Sequence, residues 1–276
     1  MTPQEYFKTL KGKTVYFLGV GVSHRKLIDM FSEAGAHVTL RDVRTEEQFD
    51  LEYLEHLKEI GVSTVLGNGY LDGLEQADYV FRSPGIDYMK PEIQRAVALG
   101  ANITSEIETF FDLCPCKTIG ITGSDGKTTT TTLIYRILKS AGETVHLGGN
   151  IGDPLLPRIL EMKREDYAVV ELSSFQLISM KTSPDVAVVT NLTPNHLDHH
   201  KDLAEYYGAK TNILSHQTED GVAVLLNEPT VLEWMRPHVR GRLMLFGDMP
   251  VADGAFFDDE KIYFARGGEN YPVLSV

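Results

Sequence analysis

GITGSDGKTTTTT, residues 120–132, closes a short β-branched run (Thr118 to Ile121) and opens a helical pattern. Glycines at Gly120, Gly123 and Gly126 let the backbone turn with its N–H groups pointed inward, and the following helix adds the positive end of its dipole. Lys127 supplies a full charge and the Thr128 hydroxyl can hold magnesium, so the stretch makes a cradle for a triphosphate. The strict pattern GxxxxGK[ST] places glycine where this chain has Ile121, which makes the loop a variant. Strand, glycines, Lys-Thr and helix in this order weigh against a glycine-rich turn with an incidental lysine. Gly123, Ser124, Asp125, Gly126, Lys127, Thr128 and Thr129 are therefore the expected ATP-binding residues.

On both sides of this loop, short apolar runs alternate with longer helical patterns, the signature of βαβ units and a parallel sheet. Strands are expected at Thr14 to Leu18, His37 to Leu40, Ser63 to Leu66, Tyr79 to Phe81 and Asn102 to Thr104. After Cys114-Pro115-Cys116 the rhythm restarts with Thr118 to Ile121, then Thr144 to Leu147, Ala168 to Leu172, Val186 to Thr190 and Val222 to Leu226. That restart divides the chain into a Rossmann-like α/β domain, 1–112, and a P-loop-type ATP-binding α/β domain, 113–276, with a small β tail. The tail is expected as a hairpin of Gly254 to Phe257 and Lys261 to Ala265 around an acidic turn at Asp258-Asp259-Glu260. The sequence stops just beyond it, so the second domain is expected to be incomplete at its C-terminal end.

At 276 residues the chain exceeds one ordinary core. Lys and Arg number 26 against 39 Asp and Glu, a net charge of −13. Such a field repels nucleic acid and acidic lipid head groups, so a polyanionic ligand must be held by local cations, helix N-termini and metal ions. No long uncharged apolar run or basic-then-apolar leader is visible, which points to the cytoplasm and away from a membrane. Cys114 and Cys116, the only cysteines, fit a reduced pair in a linker better than a metal site, which needs further ligands nearby.

Chemistry beyond the loop gathers at strand ends. DYAVVELSSFQL, residues 166–177, reads as a buried strand ending in Glu171, followed by Ser173, Ser174 and Gln176. In an open α/β sheet the carboxyl ends of the strands form the ligand crevice, so Glu171 can meet the phosphate loop and bind magnesium there, or it can cap a helix. NLTPNHLDHH, residues 191–200, brings Asn191, Asn195, His196, Asp198, His199 and His200 to the same rim, though His199 and His200 equally fit a solvated helix start. Lys210 reads as a surface lysine by composition alone. Near the N-terminus, GVGVSH, residues 19–24, is an imperfect dinucleotide fingerprint with His24 in place of the third glycine. Asp42 ends the next strand, where an acidic residue meets a sugar hydroxyl in such folds. Together they favour a diphosphate-bearing ligand, while Ser83-Pro84-Gly85 is either an ordinary turn or a wall of the same pocket.

Read in order, GITGSDGKTTTT, GGNIGDPLL, VVELSSFQL, TNLTPNHLDHH and YYGAKTNIL resemble the Mur ligase family across essentially the whole chain, as the first two of that family's three domains. VVELSSFQL resembles the branch that adds D-glutamate to UDP-N-acetylmuramoyl-L-alanine in cell-wall precursor synthesis. The resemblance implies an ATP-dependent ligase with an acyl-phosphate intermediate, in which Lys127, Asn150, Glu171, His196 and Lys210 carry the chemistry. Thr128 and Glu171 would bind one magnesium; His196 and Lys210, the lysine as its carbamate, would serve a second. Asn150, Ser173, Gln176 and His196 would lie near the sugar-peptide, and Val22, Ser23, Asp42, Arg44 and Gly85 would receive the UDP-sugar. Val43 stands where the family often has a hydroxyl residue and His24 where glycine is common.

The third domain of the family has no counterpart here, so the chain is expected to bind precursor, to be a monomer, and to turn over little alone. A rival in another class is a nucleotide-gated binding module that forms no bond. A nicotinamide-dependent oxidoreductase, suggested by GVGVSH, leaves GITGSDGKT unexplained.

Overall fold

The computed structural model describes residues 1–195 and 200–275, which form two compact units. One comprises Met1–Pro115 with Asp153–Arg164, the other Cys116–Gly152 with Glu165–Val276.

In the first unit, strands β1 (Thr14–Leu18), β2 (His37–Asp42), β3 (Ser63–Leu66), β4 (Tyr79–Arg82) and β5 (Ile103–Thr104) form a five-stranded sheet in the order β3-β2-β1-β4-β5, with every pairing parallel. Helices α1 (Pro3–Thr9), α2 (Val22–Glu33), α3 (Leu51–Glu59), α4 (Pro91–Ala98) and α5 (Glu106–Leu113) alternate with the strands. Central strand β1 is buried on both faces, as a parallel sheet requires. Tyr16 and Leu18 pack with Leu74, Val80 and Ile93 on one side, whereas Phe17 stacks on Phe81 at 5.0 Å and meets Phe31 edge-on. The chain order reverses between β1 and β4, and at that switch point the loop after β1 opens α2.

The segment 153–164 falls in the second domain by the sequence boundary, yet packs within the first unit. A cause is the carboxylate of Glu106, buried on α5, which accepts the backbone N–H groups of Leu155 and Leu156 at 2.9 and 2.8 Å. Burial pushes its pKa up, and the two N–H donors only partly oppose that shift.

The second unit holds β6 (Lys117–Thr122), α6 (Lys127–Ser140), β7 (Val145–Gly149), β8 (Tyr167–Glu171), α7 (Ser174–Leu177), β9 (Val186–Val189), α8 (Leu203–Ser215), β10 (Val222–Leu226), α9 (Pro229–Met235), β11 (Arg242–Gly247), β12 (Gly254–Asp258), β13 (Lys261–Arg266) and β14 (Glu269–Ser275). Its nine-stranded sheet runs β14-β13-β12-β11-β10-β9-β6-β8-β7. All pairings are parallel except the last two, β12 with β13 and β13 with β14. The expected hairpin is present, with Asp259 and Glu260 at φ 44° and 58° in the tight turn. Two strands not foreseen, β11 and β14, extend the sheet on either side of it. The parallel α/β architecture, with its β tail, is the one the sequence pattern implies.

What positions the chemistry is register. Glu171, the last residue of β8, is level with Ile121 of β6 and Gly149 of β7, while Val189, ending β9, is level with Thr122. The residues that follow these strands, 123–128, 150, 172–176 and 190–195, therefore emerge at one rim of this sheet.

Candidate functional site

The loop between β6 and α6 is shaped by two glycines. Gly123 has φ 149° and Gly126 φ 75°, conformations that side-chain-bearing residues rarely adopt. A Cβ on Gly123 would collide with the Thr190 hydroxyl and lie 3.1 Å from the Asn191 nitrogen, so the loop is threaded against the end of β9. Asn191 holds it there: its side-chain oxygen accepts the N–H groups of Ser124 and Asp125 at 3.1 and 2.8 Å. Thr190 donates its hydroxyl to the Asp125 carbonyl at 2.6 Å. Gly126 is the N-cap of α6 and offers no side chain to the first-turn N–H groups, which leaves them open to an anion.

Two lysines converge on this loop. Lys127 donates to the carbonyls of Gly123 and Ser124 at 3.1 and 2.8 Å. Lys210, on α8, donates to the same Gly123 carbonyl at 2.9 Å and lies 4.7 Å from the centre of the Tyr206 ring. Contrary to its surface look in the sequence, Lys210 is 1% exposed. Burial, reinforced by the charge of Lys127 and partly offset by Asp125, lowers its pKa to about 7. Tyr206 donates its hydroxyl to Ser124 at 3.1 Å, and Ser124 in turn donates to the Thr193 carbonyl at 2.7 Å.

Across the head of α6 the carboxylate of Glu171 accepts from Thr128 Oγ1 at one oxygen and from Asn150 Nδ2 at the other, each at 2.8 Å. The backbone N–H of Asn150 also donates to the Glu171 carbonyl at 2.8 Å, a consequence of the β7–β8 register. Glu171 is thus no helix cap. Ser173 and Gln176 are: they form a reciprocal capping box on α7, with the Ser173 N–H donating to Gln176 Oε1 at 2.9 Å and the Gln176 N–H to Ser173 Oγ at 3.3 Å. His196, together with Asp198 and His199, lies outside the described residues. His200 is described, and it is buried and doubly hydrogen-bonded, a role its place in a polar run does not reveal. Among the described residues no cluster of three or more His, Cys, Asp or Glu is arranged to hold a metal alone. Neither cysteine forms a disulfide, and no described helix is long and apolar enough to cross a membrane.

The first unit carries a second polar rim. Gly21 caps α2 without a side-chain bond, so the helix N-terminus that bears Val22 and Ser23 is open, and Val22 is exposed. Asp42 accepts the Val20 N–H at 3.2 Å and pairs with Arg44 through two side-chain bonds of 3.0 and 2.7 Å. Burial alone would raise the Asp42 pKa, but hydrogen bonds and charge from Arg44, helped by the Val20 N–H, hold it below the usual carboxylate range. Ser83 and Ile86, from the loop that contains Gly85, crowd Gly19 within 3.3 and 3.2 Å of where its Cβ would stand. His24 is buried beside Phe17 and donates Nδ1–H to the Gly19 carbonyl at 2.7 Å.

A glycine-rich loop between a parallel strand and an open helix end, with paired lysines and a Thr-Glu couple at its head, defines a P-loop-type α/β protein. The description of the Mur ligase middle domain matches residues 121–273, and that of the Mur ligase MurD-like N-terminal domain matches residues 13–105. The chain belongs to the Mur ligase family. It is 45% identical to the UDP-N-acetylmuramoylalanine–D-glutamate ligase of Clostridium tetani over 94% of its own length and 57% of the relative. To the protein of that name from Acetivibrio thermocellus it is 44% identical over 95% of its length and 56% of the relative. The chain thus spans little more than half the length of these relatives. In fold it is similar to the UDP-N-acetylmuramate:L-alanyl-gamma-D-glutamyl-meso-diaminopimelate ligase of Neisseria meningitides, with a TM-score of 0.54 at 17% identity over 94% of this chain and 86% of that one. A murein peptide ligase of Psychrobacter arcticus gives 0.51 at 18% identity over 96% and 62%.

Proposed function

We propose that the protein carrying this chain is an ATP-dependent ligase that adds D-glutamate to UDP-N-acetylmuramoyl-L-alanine in the cytoplasm. The observation that carries the reading is the convergence of Lys127 and Lys210 on one carbonyl oxygen, that of Gly123, at 3.1 and 2.9 Å beside an uncapped helix start. Lys127 is the cation that meets a polyphosphate at the open helix start, while Lys210, its pKa lowered to about 7 by burial and by the charge of Lys127, is available beside it as an uncharged amine. The named relatives, at 44–45% identity, direct the choice of acceptor and amino acid.

The donor set at the head of α6 fits magnesium, which is held by one or two carboxylates with phosphate oxygens and water rather than by an all-protein cage. Glu171 and Thr128 are such a pair, already 2.8 Å apart. Bound there, magnesium would neutralise phosphate charge. Lys210, with His196, would serve a second magnesium as its carbamate, carbon dioxide adding to the uncharged amine with loss of a proton.

The remaining steps belong to the chain. Amides of residues 126–128 at the open start of α6, with Lys127, hold the β- and γ-phosphates while the alanyl carboxylate attacks the γ-phosphorus and ADP leaves, giving an acyl phosphate. Asn150, held by Glu171, and Ser173 and Gln176 at the start of α7 line the approach of the sugar-peptide. The amine of D-glutamate then attacks the acyl carbon, phosphate departs and the amine loses a proton. Val22, Ser23, Asp42, Arg44 and Gly85 receive the UDP-sugar, whose diphosphate meets the open N-terminus of α2. Phosphate release by the full-length protein, measured with ATP, magnesium, UDP-N-acetylmuramoyl-L-alanine and either glutamate enantiomer, tests the proposal: release must require both the precursor and the D-enantiomer. Equal release with L-glutamate, or none dependent on the precursor, overturns it.

A further inference from the structure

We propose that His200 is a positioning residue for amide formation: its imidazole bridges Ser174, at the start of α7, to Glu205, on α8, and fixes the substrate-facing end of one helix against the lysine-bearing other. The inference rests on the function proposed above. His200 is 4% exposed, and both ring nitrogens are engaged. Nε2 lies 2.9 Å from Ser174 Oγ and Nδ1 3.1 Å from a carboxylate oxygen of Glu205. A carboxylate only accepts, so Nδ1 carries a hydrogen, and in the neutral ring Nε2 accepts from the Ser174 hydroxyl. The ring also stacks on Phe175 at 5.1 Å and 6° and tilts against Tyr206 at 5.3 Å.

Placement gives this bridge its consequence. Helix α7 has four residues, too few to hold an orientation by its own hydrogen bonds. Its C-terminal end is tied to α8 by Asn212, which donates to the Leu177 carbonyl at 2.9 Å. Its N-terminal end, where Ser173 and Gln176 sit, is tied to α8 through His200. On α8 the residue after Glu205 is Tyr206, bonded to Ser124 of the phosphate loop, and one turn further on is Lys210, bonded to Gly123. His200 thus sets the spacing between the Ser173–Gln176 wall and the residues that line the phosphate loop. The Ser-His-Glu arrangement resembles that of a nucleophilic hydrolase, but Ser174 is 1% exposed, so a positioning role is the one its burial permits.

The experiment compares wild type, His200→Phe and His200→Gln in the full-length protein, with calorimetric titration of MgATP alongside steady-state kinetics. Phenylalanine keeps the stack on Phe175 and removes both hydrogen bonds; glutamine restores one polar partner. Expected for His200→Phe is a fall in kcat of roughly tenfold or more and a raised KM for the UDP-precursor, because small misplacements of reacting groups are costly. The MgATP Kd should stay within about twofold, since the loop itself is held by Asn191 and Thr190, and His200→Gln should recover part of kcat. Kinetics of His200→Phe within about twofold of wild type overturn the inference. So does a loss of kcat matched by an equal loss of MgATP affinity, which marks a general structural role. Should His200→Phe not fold, Ser174→Ala and Glu205→Ala each remove one hydrogen-bond partner from outside the ring and must show the same split; two silent variants overturn it. A wild type without D-glutamate-dependent phosphate release refutes the proposed function, and the inference falls with it.

Discussion

Thr128 in the first turn of α6 donates its hydroxyl to the Glu171 carboxylate at the end of β8, 2.8 Å away and 43 residues along the chain. The bond pre-orients two oxygen donors of the kind magnesium accepts. Thr128→Ala removes one donor and leaves Glu171 held by Asn150 alone, and Glu171→Gln removes the charge. Each variant is expected to weaken magnesium-dependent ATP-analogue binding by about 10- to 100-fold while metal-free nucleotide binding changes little. Calorimetry with and without magnesium reads the difference; a uniform loss in both conditions would refute the assignment.

Lys210 supplies the next prediction. It is buried on α8 against Gly123 and Tyr206, so Lys210→Met keeps the volume and removes a buried amine whose charged form is costly there. The variant should fold with a thermal midpoint at or above that of wild type. Activity, in contrast, should fall by at least about 100-fold, the loss typical of deleting one charge-stabilising group. A Met variant that retains a tenth or more of wild-type kcat would show that the lysine only fills space.

The sequence makes the phosphate loop and the strand-end glutamate legible because both depend on local order: strand, glycines, lysine, helix, and an acid at the end of an apolar run. Lys210 escapes such reading because α8 is buried almost all round, with Tyr206, Tyr207, Ala209, Thr211, Ile213 and Leu214 covered as well. Without a polar stripe, no periodicity tells which positions face solvent. His200 is hidden for a different reason, since its partner Ser174 lies 26 residues away. Strand β14 contains Pro272, which normally argues against a strand, and is tolerated because β14 is the sheet edge. The return of residues 153–164 to the first unit turns on Glu106, about 50 residues upstream, a contact that no local pattern announces.

Gly123 and Gly126 are unequal despite standing in the same loop. At Gly123, φ is 149° and a Cβ would strike Thr190, whereas at Gly126, φ is 75° and the nearest atom, Thr190 Cβ, would be 4.0 Å away. Gly123→Ala therefore combines backbone strain of about 1–3 kcal/mol with a collision, while Gly126→Ala meets only the left-handed penalty of roughly 1 kcal/mol. The thermal midpoint should drop further for Gly123→Ala, and MgATP binding should be lost there first. The reverse order would mean that the loop backbone is not held against β9 as described.

His24 links the loop after β1 to pH. Burial is the main cause of its depressed pKa, which falls from 6.5 to about 4; Arg82 nearby lowers it further, and the hydrogen bond to the Gly19 carbonyl partly opposes the shift. A base with a depressed folded-state pKa stays neutral in the fold while the unfolded chain takes up a proton. Its stabilising contribution is therefore complete above about pH 6.5 and is lost as pH falls towards 4. The difference in pKa corresponds to on the order of 3 kcal/mol across that window. His24→Phe keeps an aromatic ring beside Phe17, 5.2 Å away in the native packing, and removes the titration. Urea unfolding midpoints at steps from pH 7 to 4 should converge, wild type losing more stability than the variant as acid is added. Parallel curves would mean that His24 is protonated at no cost in the folded state, which its burial on Phe17 and its single bond to Gly19 do not allow.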